Sequence, residues 1–176
     1  STRIAAKTAY EMAKVEPNDV DVAEVHDAFS VCELMAISEL GITDNDKSGE
    51  FVRNLFNTEN RMINPRGGLI GAGHPLGATG ISQTIEITNQ LQGKSEKRQI
   101  SNLKTGLVHN MSAAGTSSSV LVLENWHFLK NSWNKVFFKY PIVKNVTKRF
   151  GHLTKFATLV LVNLNGKNLK ILEKLL

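Results

Sequence analysis

Apolar side chains in the first 40 residues alternate between helical and strand spacing. Ile4, Ala5, Thr8, Ala9 and Met12 lie at helical spacing, which predicts a helix over residues 3–14. Apolar residues at 20–25 then predict a short buried strand, and a second helix is predicted over about 28–40, closed by Gly41 as its C′ residue. The polar stretch 43–50 is expected to be a surface loop.

The second part of the pattern is dominated by glycine and then by strands. Residues 64–80 carry six of the 13 glycines, a density that favours backbone running close to a ligand or to another backbone. A helix is predicted over about 78–92, with Ile81 and Ile85 facing inward. Two apolar runs, 103–109 and 118–123, predict paired strands around a turn of small residues. This order of elements predicts a layered α/β domain.

Composition narrows the class of protein. Apolar residues make up 41% of the chain and charged residues 21%, which is enough for a packed core. A single cysteine excludes an internal disulfide framework and a multi-cysteine zinc site, and favours a reducing compartment. The sequence starts at Ser1 without an apolar leader, so we expect a processed chain or a fragment with no secretory signal.

Charge divides the chain in two. Residues 1–124 hold 11 basic and 15 acidic side chains, whereas residues 125–176 hold 10 basic side chains and one acidic one. The overall net charge of +5 therefore belongs to the last segment and does not indicate a nucleic-acid-binding protein. We predict a domain at 1–124 and a basic aromatic extension at 125–176. The extension either contacts a membrane surface or a partner, or has no selected function.

Histidines in loops are the candidates for chemistry. His26 follows the first predicted strand, and His74 lies in the glycine-rich segment just before a helix, where a neutral imidazole is favoured. Such a histidine can accept a proton from a thiol or donate to an oxyanion, and the alternative is a structural role. His109 is expected in the core or supporting the site, and Cys32 is expected to act as a small apolar side chain. No spacing predicts a metal site.

Two boxes carry a resemblance to a known family. They are residues 26–29 (HDAF) and residues 64–80 (NPRGGLIGAGHPLGATG). The stretch 22–25 (VAEV) and the pair His109-Asn110 agree with it. Over about residues 2–124 the chain resembles the C-terminal half of thiolases, especially the branch of sterol carrier protein X and the archaeal acetyl-CoA acetyltransferases.

The resemblance implies the C-terminal half of the thiolase fold and Claisen chemistry on acyl-CoA thioesters. It implies that His74 helps to deprotonate a cysteine of the N-terminal half and hydrogen-bonds the thioester oxygen. The box that begins at His26 is implied to orient a water in the same oxyanion hole. The implied substrate-binding residues are Asn64, Gly73, Gly77 and Gly115. Coenzyme A thioester is the expected substrate, and no cofactor is expected.

Departures from the family pattern leave a second reading open. The sterol-carrier branch has cysteine where this chain has Ala28, and other thiolases keep a cysteine in the turn that begins here at Ser112. The chain is therefore expected to be inactive without an N-terminal half, and the alternative is a non-catalytic acyl-CoA or lipid-binding module. The resemblance also implies a homo-oligomer when complete. The C-terminus lacks a Ser-Lys-Leu signal, so the cytoplasm is expected rather than the peroxisome.

Overall fold

The computed structural model describes residues 1–56 and 62–125. Three strands form the sheet: β1 (Val22–Glu24), β2 (Thr105–Met111) and β3 (Ser118–Glu124). The α-helices are α1 (Thr2–Ala13), α2 (Ser30–Glu39), α3 (Ser48–Phe56), α4 (Gly68–Ala72) and α5 (Thr79–Gln92). Short 3-10 turns occur at Pro17–Asp19 and Glu96–Arg98.

The sheet has the order β1-β2-β3, with β1 parallel to β2 and β2 antiparallel to β3. Ala23 lies opposite Leu107 in the first pair, and Val108 lies opposite Leu121 in the second. On its other side, β1 is joined by Ile63 through a single parallel bridge to Ala23. This bridge brings the start of the glycine-rich segment to the edge of the sheet.

Helices cover both faces of the sheet, because side chains alternate along each strand. Ala23, Leu107 and Val122 pack with α1, α2 and α3 in one apolar cluster. Val22, Val108 and Leu123 pack with α5 in a second cluster, whose members from α5 are Ile87 and Leu91. The result is the layered α-β-α arrangement that the sequence predicts.

Gly106 allows α5 to lie directly on the sheet. A Cβ at this position would lie 2.4 Å from Cγ2 of Ile87, which is closer than real Cβ contacts allow. Ile87 is fully buried against this strand. The missing side chain at position 106 therefore sets the distance between α5 and β2.

Most predicted elements are confirmed. The two long helices, the first strand and the strand pair lie where the apolar spacing places them, and α2 ends at Gly41 as predicted. The amide of Gly41 donates to Ser38 O and that of Ile42 to Ile37 O, which are the two bonds of a Schellman cap. Local spacing and end signals were sufficient for these elements.

Two predictions about the loop 43–50 and about α5 are wrong. Helix α3 begins at Ser48, whose side chain is buried, so the last part of the predicted loop is helical. Ile81 and Ile85 are 64% and 55% exposed, because the other face of α5 packs on the sheet. That face contains polar residues, and their hydrogen bonds offset the cost of burial. Glu86, for example, pairs with Arg98 at 3.0 Å.

Helix α4 was not predicted, because it lies within the glycine-rich segment. The basic extension predicted for residues 125–176 falls, apart from Asn125, outside the described residues. Within 1–56 and 62–125, no helix is long and apolar enough to cross a membrane.

Candidate functional site

Two histidine rings meet at one end of the sheet. The ring centroids of His26 and His74 lie 5.0 Å apart, with the rings almost perpendicular. His26 follows β1, and His74 lies between α4 and α5. The structure therefore brings together the two side chains that the sequence singles out for chemistry.

His26 is buried and held from one side of its ring. Its Nδ1 is 2.8 Å from Oδ1 of Asn110, the penultimate residue of β2. Burial is the largest influence on His26 and lowers its pKa, and the nearby His74 acts in the same direction. The bond to Asn110 and the charge of Asp27 oppose this shift. The balance favours the neutral imidazole.

His74 is half-buried, and its Nδ1 is 2.7 Å from Oγ1 of Thr79, the first residue of α5. The Thr79 hydroxyl donates to the carbonyl oxygen of Pro75 at 3.1 Å. Since that hydroxyl has one hydrogen, its oxygen accepts from His74 and Nδ1 of His74 carries the proton. Nε2 of a neutral His74 is then the basic atom.

Asp27, the residue after His26, makes the contact between this part of the chain and the glycine-rich segment. Its Oδ1 accepts the backbone N–H of Leu69 at 2.6 Å, at the start of α4. The carboxylate occupies the space beside Gly68, where a Cβ would lie 1.9 Å from Oδ2. Gly68 has φ +64°. A larger residue at this position would displace the carboxylate next to His26.

A second contact between β1 and the same segment involves a buried carboxylate. Glu24 is fully buried, and Oε1 accepts the backbone N–H of Arg66 at 3.3 Å. The Arg66 guanidinium lies 3.6 Å from Oε2, too far for a direct hydrogen bond. Burial raises the pKa of Glu24 to about 7, and the charge of Arg66 opposes that change.

His109 lies in the core behind the site, as the sequence predicts. It is fully buried, and burial lowers its pKa to about 3. Its Nδ1 accepts the backbone N–H of His26 at 3.4 Å, so the ring proton lies on Nε2. Nε2 is 3.1 Å from Oγ1 of Thr2 and donates to it. A neutral His109 thus connects α1 to the backbone of His26.

The four predicted substrate-binding residues fall in different places. Gly73 and Gly77 are exposed on either side of His74. Gly115 lies in the turn between β2 and β3, where its carbonyl accepts the Ser1 hydroxyl. Asn64 is buried, and its Oδ1 accepts the N–H of Val25 at 2.8 Å. That contact fixes the end of β1 just before His26.

Three exposed apolar side chains lie close in sequence to the two histidines. Phe29, Ile70 and Leu76 are 71%, 63% and 81% exposed, and each lies within a few residues of a residue named above. Backbone of the glycine-rich segment between 70 and 73 is also exposed. The described part of the chain contains no group of three histidine, cysteine or acidic side chains that could hold a metal ion.

Sequence reasoning missed the residues that support the histidines. Thr79, Gln83 and Asn110 are polar positions on α5 and β2, and nothing in their local spacing connects them to position 26 or 74. The available signals were the pair His109-Asn110, already part of the resemblance, and a threonine at the start of a helix after a histidine.

Comparisons with known proteins agree with this geometry. A family model described as "Thiolase C-terminal domain-like" matches residues 1–125. Acetyl-CoA acetyltransferase of Methanothermobacter thermautotrophicus is 40% identical over 118 residues, 66% of this chain and 31% of that protein. Sterol carrier protein 2 of Homo sapiens is 43% identical over 113 residues, 63% of this chain and 21% of that protein.

Among solved structures, the Ltp2-ChsH2(DUF35) aldolase is similar with a TM-score of 0.53 and 20% identity. The similarity covers 61% of this chain and 28% of that one, and it shows a shared fold. The chain spans less than a third of the length of the two relatives described above.

Proposed function

The chain belongs to the thiolase C-terminal domain family, and on that premise we propose that it supplies the C-terminal catalytic half of an acyl-CoA C-acetyltransferase. The reaction would be the reversible Claisen condensation and thiolysis of acyl-CoA thioesters. The partner would be an N-terminal half with a nucleophilic cysteine, and this 176-residue chain would be inactive without it. The complete protein would form a homo-oligomer in the cytoplasm.

The edge-to-face pair of His26 and His74 is the observation that supports this proposal most directly. Nδ1 of His74 is engaged by Thr79, which leaves Nε2 to exchange a proton. A neutral imidazole of this kind can remove the proton from a thiol as the sulfur attacks a thioester carbonyl. Once Nε2 of His74 carries that proton, its N–H can donate to the oxyanion that forms on the thioester oxygen.

Transfer of the acyl group would proceed in balanced steps. The cysteine sulfur of the other half attacks the thioester carbon, its proton moves to Nε2 of His74, and the CoA thiolate leaves. His74 then returns the proton to that thiolate. In condensation, the α-carbon of a second acyl-CoA gives up a proton to a base, the resulting carbanion attacks the acyl-cysteine, and the released cysteine thiolate takes up that proton. We assign the proton transfer at that carbon to no residue of this chain.

The exposed glycine-rich backbone is consistent with a substrate as long as an acyl-CoA thioester. Gly73 and Gly77 flank His74 in sequence, are exposed and carry no side chain. The backbone there can approach the pantetheine arm and the acyl group closely. Gly115 would approach the substrate in the same way from the turn between β2 and β3, whereas the side chain of Asn64 would act from the buried end of β1.

A non-catalytic acyl-CoA or lipid-binding module is the second candidate, and the turn between β2 and β3 favours it. Where some thiolases have cysteine, Oγ of Ser112 is 3.0 Å from Oγ1 of Thr116 and accepts the N–H of Ser117 at 3.1 Å. The hydroxyl closes its own turn. Ala28, at the other position where a second acid/base thiol occurs in the family, has no titratable group.

Complementation tests the proposal. The 176-residue chain is assayed for cleavage of acetoacetyl-CoA by coenzyme A, alone and after co-expression with the N-terminal half of the acetyltransferase of Methanothermobacter thermautotrophicus. We expect turnover only with both halves. The substitution His74→Ala should reduce the rate by roughly 10²–10⁴-fold, the usual contribution of general acid–base catalysis. The matched control is His152→Ala in the extension, which should leave the rate unchanged.

Turnover by the lone chain, or an unchanged rate in the His74→Ala complex, would contradict the proposal. Mass spectrometry after incubation with acetyl-CoA separates the two candidates. A covalent acetyl adduct on the co-expressed half supports the enzyme. Saturable binding of acetyl-CoA without an adduct supports the binding module.

A further inference from the structure

A chain of three hydrogen bonds connects His26 to the backbone of β2. Oδ1 of Asn110 is 2.8 Å from Nδ1 of His26. The amide nitrogen of Asn110 donates to Oε1 of Gln83 at 3.2 Å, and the amide nitrogen of Gln83 donates to the carbonyl oxygen of His109 at 3.2 Å. Gln83 lies on α5, so the chain joins the helix to the strand beneath it.

The backbone carbonyl at one end fixes the direction of every bond in this chain. A carbonyl oxygen only accepts, so Gln83 must direct its NH₂ group toward His109 and its oxygen toward Asn110. Asn110 must then direct its NH₂ group toward Gln83 and its oxygen toward His26. An amide oxygen only accepts, so Nδ1 of His26 must carry the hydrogen.

We propose that Gln83 and Asn110 are positioning residues that hold His26 as the Nδ1–H tautomer and so reserve its Nε2 as a hydrogen-bond acceptor facing the site. This inference rests on the proposed function for the use of that acceptor. The tautomer itself follows from the contacts alone.

Packing keeps the amide groups from turning over. Gln83 is fully buried, as is His109. A flipped Gln83 would place its oxygen against a carbonyl oxygen and leave a buried NH₂ group facing that of Asn110, at the cost of unsatisfied buried groups. Gly80 lies beside the same amide, since a Cβ there would be 3.2 Å from Nδ2 of Asn110. The directions of these three hydrogen bonds are therefore fixed before any substrate binds.

The tautomer decides which way a bound water would point. With Nε2 as acceptor, a water beside His26 donates one O–H to the ring and keeps the other for an oxyanion. With the opposite tautomer, the ring would donate to the water oxygen, and neither O–H of that water would be held by the ring. The first arrangement therefore fixes the orientation of the water, with one O–H bound to His26 and the other available to the oxyanion.

Charged neighbours also act on His26. The titratable groups around it are His74 across the site, Asp27 next in the chain and His109 behind it. A positive His74 disfavours a second positive ring, whereas the Asp27 carboxylate favours it. The tautomer of the neutral ring is set by Asn110, which is why substitutions at positions 110 and 83 test the proposal.

Imidazole nitrogen shifts in the full chain provide the test. The 176-residue protein is labelled with ¹⁵N-histidine, and the His26 signals are identified by their loss in His26→Gln. We expect Nδ1 of neutral His26 to have the shift of a protonated nitrogen and Nε2 that of an unprotonated one. In Asn110→Leu and in Gln83→Leu, the proton should redistribute to Nε2. The matched control Gln92→Leu, at the far end of α5, should leave the His26 shifts unchanged.

Asn110→Asp keeps the shape of the side chain and covers the case in which a leucine variant fails to fold. A carboxylate against Nδ1 should keep the same tautomer and raise the pKa of His26 by about one unit or more. The control Asn18→Asp, on the surface near β1, should not change that pKa. A purely structural Asn110 would change stability without moving either the tautomer or the pKa.

An unprotonated Nδ1 in the wild-type protein, or a His26 pKa that Asn110→Asp leaves unchanged, would overturn the inference. These readouts need no turnover, so they are independent of the complementation assay. If the nitrogen shifts are as expected and the complemented enzyme is inactive, the assigned tautomer of His26 is supported and the proposed function is wrong. If the enzyme is active and the nitrogen shifts differ from those expected, only the inference about the His26 tautomer is wrong.

Discussion

The carboxylate of Asp27 occupies the place where a side chain at Gly68 would begin. A Cβ at Gly68 would lie 1.9 Å from Oδ2 of Asp27, and the same carboxylate accepts the N–H of Leu69 through Oδ1. Asp27 therefore holds the glycine-rich segment close to His26, its neighbour in the HDAF box. Through this contact, the two boxes of the family pattern depend on each other physically.

Replacing Gly68 with alanine should destabilise the domain and separate the histidines. The new methyl group must displace a buried carboxylate, and the backbone φ of +64° disfavours any side chain. Strain and overpacking together predict a loss of about 2–4 kcal/mol in the free energy of unfolding. Urea denaturation followed by circular dichroism measures it. Gly71→Ala, three positions later and with open space around it, should change stability little. Equal losses in both variants would contradict this account.

Glu24 and His109 should give opposite dependences of stability on pH. The folded-state pKa of Glu24 is about 7, above its usual 4.5, so the folded state binds the extra proton and stability falls as pH rises through that interval. The folded-state pKa of His109 is about 3, below its usual 6.5, so stability falls as pH decreases below 6.5. Between pH 4.5 and 6.5 the two slopes oppose each other, at roughly 1.4 kcal/mol per pH unit each.

Single substitutions should reveal the two slopes. In Glu24→Gln the free energy of unfolding should decrease more steeply toward acid than in wild type, because His109 is unopposed. In His109→Gln it should instead decrease toward neutral pH. Unfolding in urea at several pH values between 4.5 and 6.5 measures both, and the exposed Glu11→Gln serves as control. Parallel curves for all four proteins would refute the opposition.

Thr79→Val should reduce the rate of the complemented enzyme roughly tenfold or more, because an imidazole that is no longer oriented loses part of its general acid–base contribution. Valine keeps the shape of threonine but removes the acceptor of the His74 proton. Thr79→Ser retains the hydroxyl and should restore most of the rate. The test is kcat for acetoacetyl-CoA cleavage, with the His74 nitrogen shifts as a second measurement. A rate in Thr79→Ser as low as that in Thr79→Val would show that packing, not the hydroxyl, matters.

Ile81→Asp and Ile85→Asp should prevent complementation while leaving the chain folded. These side chains form an exposed apolar face of α5, which we expect to contact the N-terminal half. Circular dichroism of the lone chain should be unchanged, and co-purification of the two halves should be lost. Ile87→Asp, on the buried face, should instead unfold the domain. Normal co-purification of both exposed-face variants would place the interface elsewhere.

Local signals explain the parts of the fold and the site that the sequence predicts. Helix α5 begins and ends where its spacing and Gly93 indicate, because such signals act within one or two turns of chain. His26 and His74 are recognisable for the same reason, since each lies in a short box beside the end of an element. The inward face of α5 was mispredicted, because the packing of Glu86 with Arg98 is invisible to local periodicity.

The sequence by itself determined helices α1, α2 and α5, the three strands, the order of these elements, the family and the two candidate histidines. Only the tertiary structure decided which face of α5 is buried, that Asp27 and Gly68 exclude a side chain between them, and that Asn110 holds His26. The reason is that periodicity and capping are properties of neighbouring residues. A tautomer or a close approach is set by groups that meet only after the chain has folded, such as the carbonyl of His109 and the amide of Gln83.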